Sequence, residues 1–139
     1  MTGVAPEPDL ACTSVADVMH RGLVTCPPGT PLRTVARILA AHRIHAVVVA
    51  DGHAHDAAGV WGVLSDIDVV ARLATASPDE TAGSAADLPP CVVAPDDTVA
   101  HAAQLMAEHG IAHLLVADRV SGRPLGVIST LDVAEALSS

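Results

Sequence analysis

The chain has 139 residues, enough for one ordinary domain or two very small ones, and its Phe- and Tyr-free composition leaves Ala, Val, Leu and Ile to build the core. Seven Arg and no Lys against sixteen acidic residues give a formal charge of -9, which excludes general binding to nucleic-acid phosphates or to an anionic membrane. No apolar run approaches the ~20 residues of a bilayer span and the start has no signal-peptide pattern, so a soluble, cytoplasmic protein is expected. Three cysteines, Cys12, Cys26 and Cys91, are an odd number without CxxC spacing and read as idle thiols.

Residues 1–13 read as a flexible N-terminus. Ser14-Val15-Ala16-Asp17-Val18 opens a short helix, and Thr30-Pro31 sets an N-cap with Pro at the first helical position of a longer one. Leu32, Val35, Ala36 and Leu39 then recur at helical spacing. The β-branched run Ala46-Val47-Val48-Val49-Ala50 and the run Val60-Trp61-Gly62-Val63-Leu64 read as short buried strands, and Ser65 opens a helix reaching Leu73. The stretch from Thr75 to Gly83 links to a second copy of the same plan. There Val99, Ala102, Ala103 and Met106 line a helix, His113-Leu114-Leu115-Val116-Ala117 and Pro124-Leu125-Gly126-Val127-Ile128 are strands, and Ser129 opens the last helix.

The copies align residue by residue. Ser14 to Val18 meets Ser84 to Leu88 at a spacing of 70; Pro28, His42, Ile44 and Asp51 meet Pro95, His109, Ile111 and Asp118 at 67; Gly62, Ser65 and Asp68 meet Gly126, Ser129 and Asp132 at 64. Spacing changes confined to turns are what a structural repeat requires. Units of this size bury too little surface alone, so the copies should pack through their sheets. The expected boundaries are 14–74, a linker at 75–83, and 84–139.

The twice-repeated Gly-hydrophobic-hydrophobic-Ser-x-x-Asp, with Asp17-Val18-Met19 and the Pro28-Gly29-Thr30-Pro31 helix entry, resembles a tandem pair of cystathionine-β-synthase (CBS) domains, a Bateman module. The resemblance runs from about Ser14 to Leu137. It departs at Val48 and Leu115, where the family often has Pro, and at Leu88-Pro89-Pro90 in the second opening. It implies an α/β (α+β) fold of two pseudo-symmetric motifs, each a small three-stranded sheet with flanking helices, in a stand-alone CBS protein.

Ser followed three residues later by Asp is first a capping box, in which the Ser hydroxyl accepts from the backbone three residues on and the acid reaches back. The same place, a helix N-terminus beyond a strand end, is also where α/β folds bind anions and nucleotides. Ser65 and Ser129 then meet a phosphate, Asp68 and Asp132 accept from a ribose diol, and the preceding Gly lets a ligand approach the backbone. The resemblance adds adenine-lining positions: Thr25, Cys26, Ala46 and Val48 in copy one, and Val92, Val93, His113 and Leu115 in copy two. Ordinary core lining is the competing reading of these positions, above all for Val48 and Leu115.

Arg72, Arg43 and Arg123 are either phosphate partners or surface counter-charges, and Trp61 reads as a core residue. The loop His53-Ala54-His55 between Asp51 and Asp56 offers metal donors but too few to define a site. His42 and His109 suit the C-terminal ends of helices. No catalytic motif is present. The expected protein is a non-catalytic sensor with no obligatory cofactor, binding AMP, ADP, ATP or S-adenosylmethionine as a regulatory ligand, acting as a homodimer read by an effector protein. A ligand-free protein–protein interaction module is the alternative, and a metal or redox sensor a third.

Overall fold

A computed structural model describes residues 10–51, 59–75, 79–86 and 90–138. The first copy runs through α1 (Val15–Val18), β1 (His20–Arg21), β2 (Thr25–Cys26), α2 (Leu32–His42), β3 (Ala46–Ala50), β4 (Val60–Ser65) and α3 (Asp66–Thr75). The second holds α4 (Ala82–Ala85), β5 (Val92–Val93), α5 (Val99–His109), β6 (His113–Ala117), β7 (Pro124–Ser129) and α6 (Thr130–Ser138). The strands form two sheets, β2-β3-β4 and β1-β7-β6-β5. In each, the short strand runs parallel to the central one (Thr25 opposite Val48, Val92 opposite Leu115) and the third runs antiparallel to it (Val48 opposite Val63, Leu115 opposite Val127).

The mixed α/β architecture agrees with the expectation, with one addition. β1 belongs in sequence to the first copy but pairs antiparallel with β7 of the second, making that sheet four-stranded. Two exposed polar residues carry no periodicity, so nothing local announced this strand.

Both faces of the central strands are covered, which explains their unbroken apolar runs. Val47 and Val49 turn toward Leu32, Val35 and Leu39 of α2, and Leu114 and Val116 toward Val99, Ala102 and Met106 of α5. Val48, Ala50, Val60 and Leu115 fill a third layer with Leu23, Val63 and Val127, where the sheets meet. The copies therefore pack through their sheets, as their individual size demands.

The opening helices are exchanged. Val15 and Met19 lie in the core of the second copy, and Ala82 and Ala86 in that of the first. Paired hydrogen bonds hold the exchange: Val15 N donates to Asp97 O (2.8 Å) as Ala82 N does to Thr30 O (2.7 Å), and Val99 N donates to Thr13 O (2.8 Å) as Leu32 N does to Glu80 O (3.0 Å). Each pair is related by the same offset as β3 and β6, so Ser14 corresponds to Thr81 and Val15 to Ala82. The 70-residue match of Ser14 to Ser84 is thereby corrected. It rested on similar short strings, whereas the backbone bonds fix the register, and among the described residues the spacing changes between β3 and β4 of the first copy and β6 and β7 of the second.

Helix ends show a smaller correction. α2 begins after Pro31, without a side-chain cap, while Thr98 at the matching position accepts from His101 N at 3.1 Å. Both long helices end in a left-handed residue, Arg43 (φ 51°) in the first and Gly110 (φ 62°) in the second. His42 and His109 stand in the last turns, as expected from the helix dipole. Trp61 is not a core residue: a register shift between Val49 and Ala50 lifts it off the ladder, leaving it 45% exposed with its indole N–H directed at Asp51 Oδ2 (3.4 Å).

Candidate functional site

Strand alternation sorts the expected site residues. Paired residues of neighbouring strands share a face, so Thr25, Ala46 and Ser65 stand on the face of the first sheet that turns to the second copy. Val92, His113 and Ser129 hold the matching places in the second sheet. Thr25 and Val92 are exposed, Ala46 and His113 half-buried. Cys26 and Val93 point the other way into their own helix-side cores, so their side chains do not line a cleft. Val48 and Leu115 are on the right face but fill the layer between the sheets, 2% and 0% exposed, and offer a ligand no surface. Of the eight lining positions, four thus have their side chains in the core.

Both Ser-x-x-Asp motifs form capping boxes. Asp68 N donates to Ser65 Oγ (3.3 Å), and Ser65 N (3.2 Å) and Ser65 Oγ (2.8 Å) donate to Asp68 Oδ2. Asp132 N donates to Ser129 Oγ (3.1 Å), and Ser129 N donates to Asp132 Oδ2 (2.8 Å). The boxes place each carboxylate at the N-terminus of α3 or α6, where the helix dipole favours negative charge.

The two carboxylates are not equivalent. Asp68 is exposed. Asp132 is buried, and His20 Nδ1, delivered by β1, lies 2.8 Å from its Oδ1. Gly126 belongs to the same construction: a Cβ there would lie 2.1 Å from His20 O and 2.7 Å from Met19 Cε. The glycine of the second motif therefore admits the crossing backbone of β1, not a ligand.

His45, Asp66 and His113 extend the polar cluster. His45 Nδ1 lies 2.8 Å from Asp66 Oδ2, and this bond holds the Asp66 carboxyl below its ordinary range. Burial holds the His113 imidazole below its ordinary value, opposed by the nearby charges of Asp66, Asp132 and Asp68. The cluster thus joins residues of both copies at the start of α3 and α6. His20, His45 and Asp66 were not candidates from sequence, because only the pairing of β1 on β7 and the packing of the sheets bring them together.

The other candidates are placed as follows. Arg72 is paired with Glu80, which makes it a structural counter-charge. Arg43 caps α2, and Arg123 sits in a turn where its N–H donates to Ser121 Oγ (3.2 Å). Cys12, Cys26 and Cys91 are not joined in disulfides, and burial raises the pKa of Cys26, which leaves it a poor nucleophile. His53, His55 and Asp56 lie outside the described residues, among which no group of three donors is arranged for a metal ion. Among the described residues no helix is long and apolar enough to cross a membrane.

The family model described as CBS domain matches the chain twice, over residues 15–75 and 72–139. Among solved structures, a CBS domain pair in complex with 5′-methylthioadenosine and S-adenosyl-L-methionine superposes with a TM-score of 0.79 at 21% identity, covering 91% of this chain and 96% of its own. A CBS domain protein from Pyrobaculum aerophilum complexed with AMP gives 0.75 at 25% identity, with coverages of 91% and 99%. A CBS-domain-containing protein from Agrobacterium tumefaciens gives 0.75 at 30% identity, with coverages of 89% and 98%. Among curated proteins no sequence match is found.

Proposed function

The chain belongs to the CBS domain family, and from that premise we propose that it is a non-catalytic regulatory module that binds an adenosine ligand between its two CBS motifs. The observation that carries the reading is the exposed Asp68 carboxylate at the N-terminus of α3, hydrogen-bonded to Ser65, which shares a sheet face with Thr25 and Ala46. Its Oδ2 is committed to the capping box, and no bond to Oδ1 is made among the described residues. A carboxylate oxygen so placed accepts from a ribose hydroxyl, and the positive end of the α3 dipole suits a phosphate or another anionic substituent. Solved relatives that carry AMP, S-adenosyl-L-methionine or 5′-methylthioadenosine share this ribose and adenine chemistry. The ligand class is therefore AMP, ADP, ATP or S-adenosylmethionine, held without catalysis.

The assembly we propose is a cytoplasmic homodimer whose subunit arrangement shifts with ligand and is read by an effector protein. Matching positions of α3 and α6 expose apolar side chains: Ile67 and Leu73 in the first, Leu131 and Leu137 in the second, with Val70 beside them. Two such faces on one chain suit helix-to-helix association. Light scattering after size exclusion should give twice the chain mass.

Titration calorimetry with AMP, ADP, ATP and S-adenosylmethionine tests the binding, with Trp61 emission as a second reading. The expected result is saturable heat with at least one of them and a parallel change in emission. No heat and no change with any of the four overturns the proposal in favour of the interaction module.

A further inference from the structure

We infer that His20 is a built-in occupant of the second cleft, a latch that ties Asp132 and makes the two clefts unequal in ligand affinity. The inference rests on the proposed role of the Ser-x-x-Asp carboxylates in holding a ribose diol. Both oxygens of Asp132 are already engaged: Oδ2 accepts from Ser129 N at 2.8 Å, and Oδ1 lies 2.8 Å from His20 Nδ1. The Asp132 side chain is 2% exposed, so the imidazole stands where a ribose hydroxyl would have to donate. Asp68 has its cap but no such occupant among the described residues.

The delivery of His20 is independent of its side chain. β1 is held on β7 with His20 opposite Val127 and Arg21 opposite Gly126, and Gly22 N donates to Leu125 O at 3.0 Å. The absence of a side chain at Gly126 lets this backbone approach. The imidazole itself is 75% exposed and fills no core space, and among the described residues the contact of its ring is with Asp132. It is a positioning residue: a ligand entering the second cleft has to break a hydrogen bond that a ligand entering the first does not. Nδ1–H donates in the neutral Nδ1 tautomer and in the imidazolium alike, so the latch does not need a protonated His20.

AMP titrated calorimetrically into the full chain, into His20→Ala and into His20→Ala/Asp132→Asn tests the latch. The parent should bind one AMP per chain in the concentration range that fills the first cleft, with the second at least tenfold weaker. His20→Ala should strengthen the second cleft about tenfold and bring the stoichiometry to two, with the thermal midpoint lowered by less than in Asp132→Asn. Adding Asp132→Asn should abolish that gain while leaving the first cleft as it was. An unaltered stoichiometry and affinity in His20→Ala, with AMP still binding the parent, overturns the latch alone, as do equal affinities at two sites in the parent. Absence of AMP binding in all three proteins, together with no response to the other three ligands, overturns the ligand-binding reading itself.

Discussion

Asp68→Asn and Asp132→Asn remove the same charge from two helix starts that differ in burial, and so separate ligand binding from capping. Asn keeps the shape and one acceptor oxygen, so each capping box survives in weaker form. At Asp132 the lost charge served two contacts, Ser129 N and His20 Nδ1, each at 2.8 Å, in a buried setting. Hydrogen bonds to a charged group contribute about 1.5–3 kcal/mol against about 1 for neutral ones. His20 is largely exposed, which screens its share, so the net loss of stability is about 1–2 kcal/mol. For a chain of this size that lowers the thermal midpoint by roughly 3–8 °C. Asp68 is exposed and its box is made with Ser65 alone, so Asp68→Asn should cost about 0.5 kcal/mol or less. Binding should follow the opposite order. Loss of the charged acceptor at the first cleft should weaken the ligand by about ten- to a hundredfold, while Asp132→Asn leaves that cleft intact. Scanning calorimetry and ligand titration on the same preparations give both quantities. Unaltered affinity in Asp68→Asn, or equal stability losses in the two variants, refutes the reasoning.

Because burial lowers the pKa of His113 from about 6.5, the unfolded chain binds more protons than the folded one just below that value, and stability should fall as pH drops through 6.5. His113→Ala, the residue found at the matching position 46, should flatten this fall; parallel midpoint-versus-pH curves for parent and variant would falsify the assignment. Gly126→Ala puts a Cβ against His20 O and should destabilise by roughly 1–3 kcal/mol in urea unfolding, with a wild-type midpoint counting against the close approach of β1. Arg43 holds a left-handed conformation where the second copy has Gly110, so Arg43→Gly should stabilise by about 0.5 kcal/mol; a lower midpoint would show that the side chain, not the backbone, matters there.

Local pattern sufficed for most of the architecture. The helical recurrence of Leu32, Val35 and Leu39, the apolar runs at 46–50 and 113–117, and the repeat frame fixed the long helices, the central strands and their order, because each signal lies within one element and one period. The capping boxes were equally legible, since a Ser and an Asp three residues apart need nothing beyond their own helix start. What lay beyond reach depended on partners distant in the chain. Whether a β-strand residue faces a cleft, its own core or the opposing sheet is set by register and by what covers each face, so Cys26, Val93, Val48 and Leu115 moved to the core while Thr25 and Val92 stayed at the surface. The exchange of α1 and α4 is written in backbone hydrogen bonds, which form between main-chain groups whatever the side chains. The inequality of Asp68 and Asp132, identical in motif, comes from two polar residues more than a hundred positions upstream that lie across Gly126 and place an imidazole on one carboxylate.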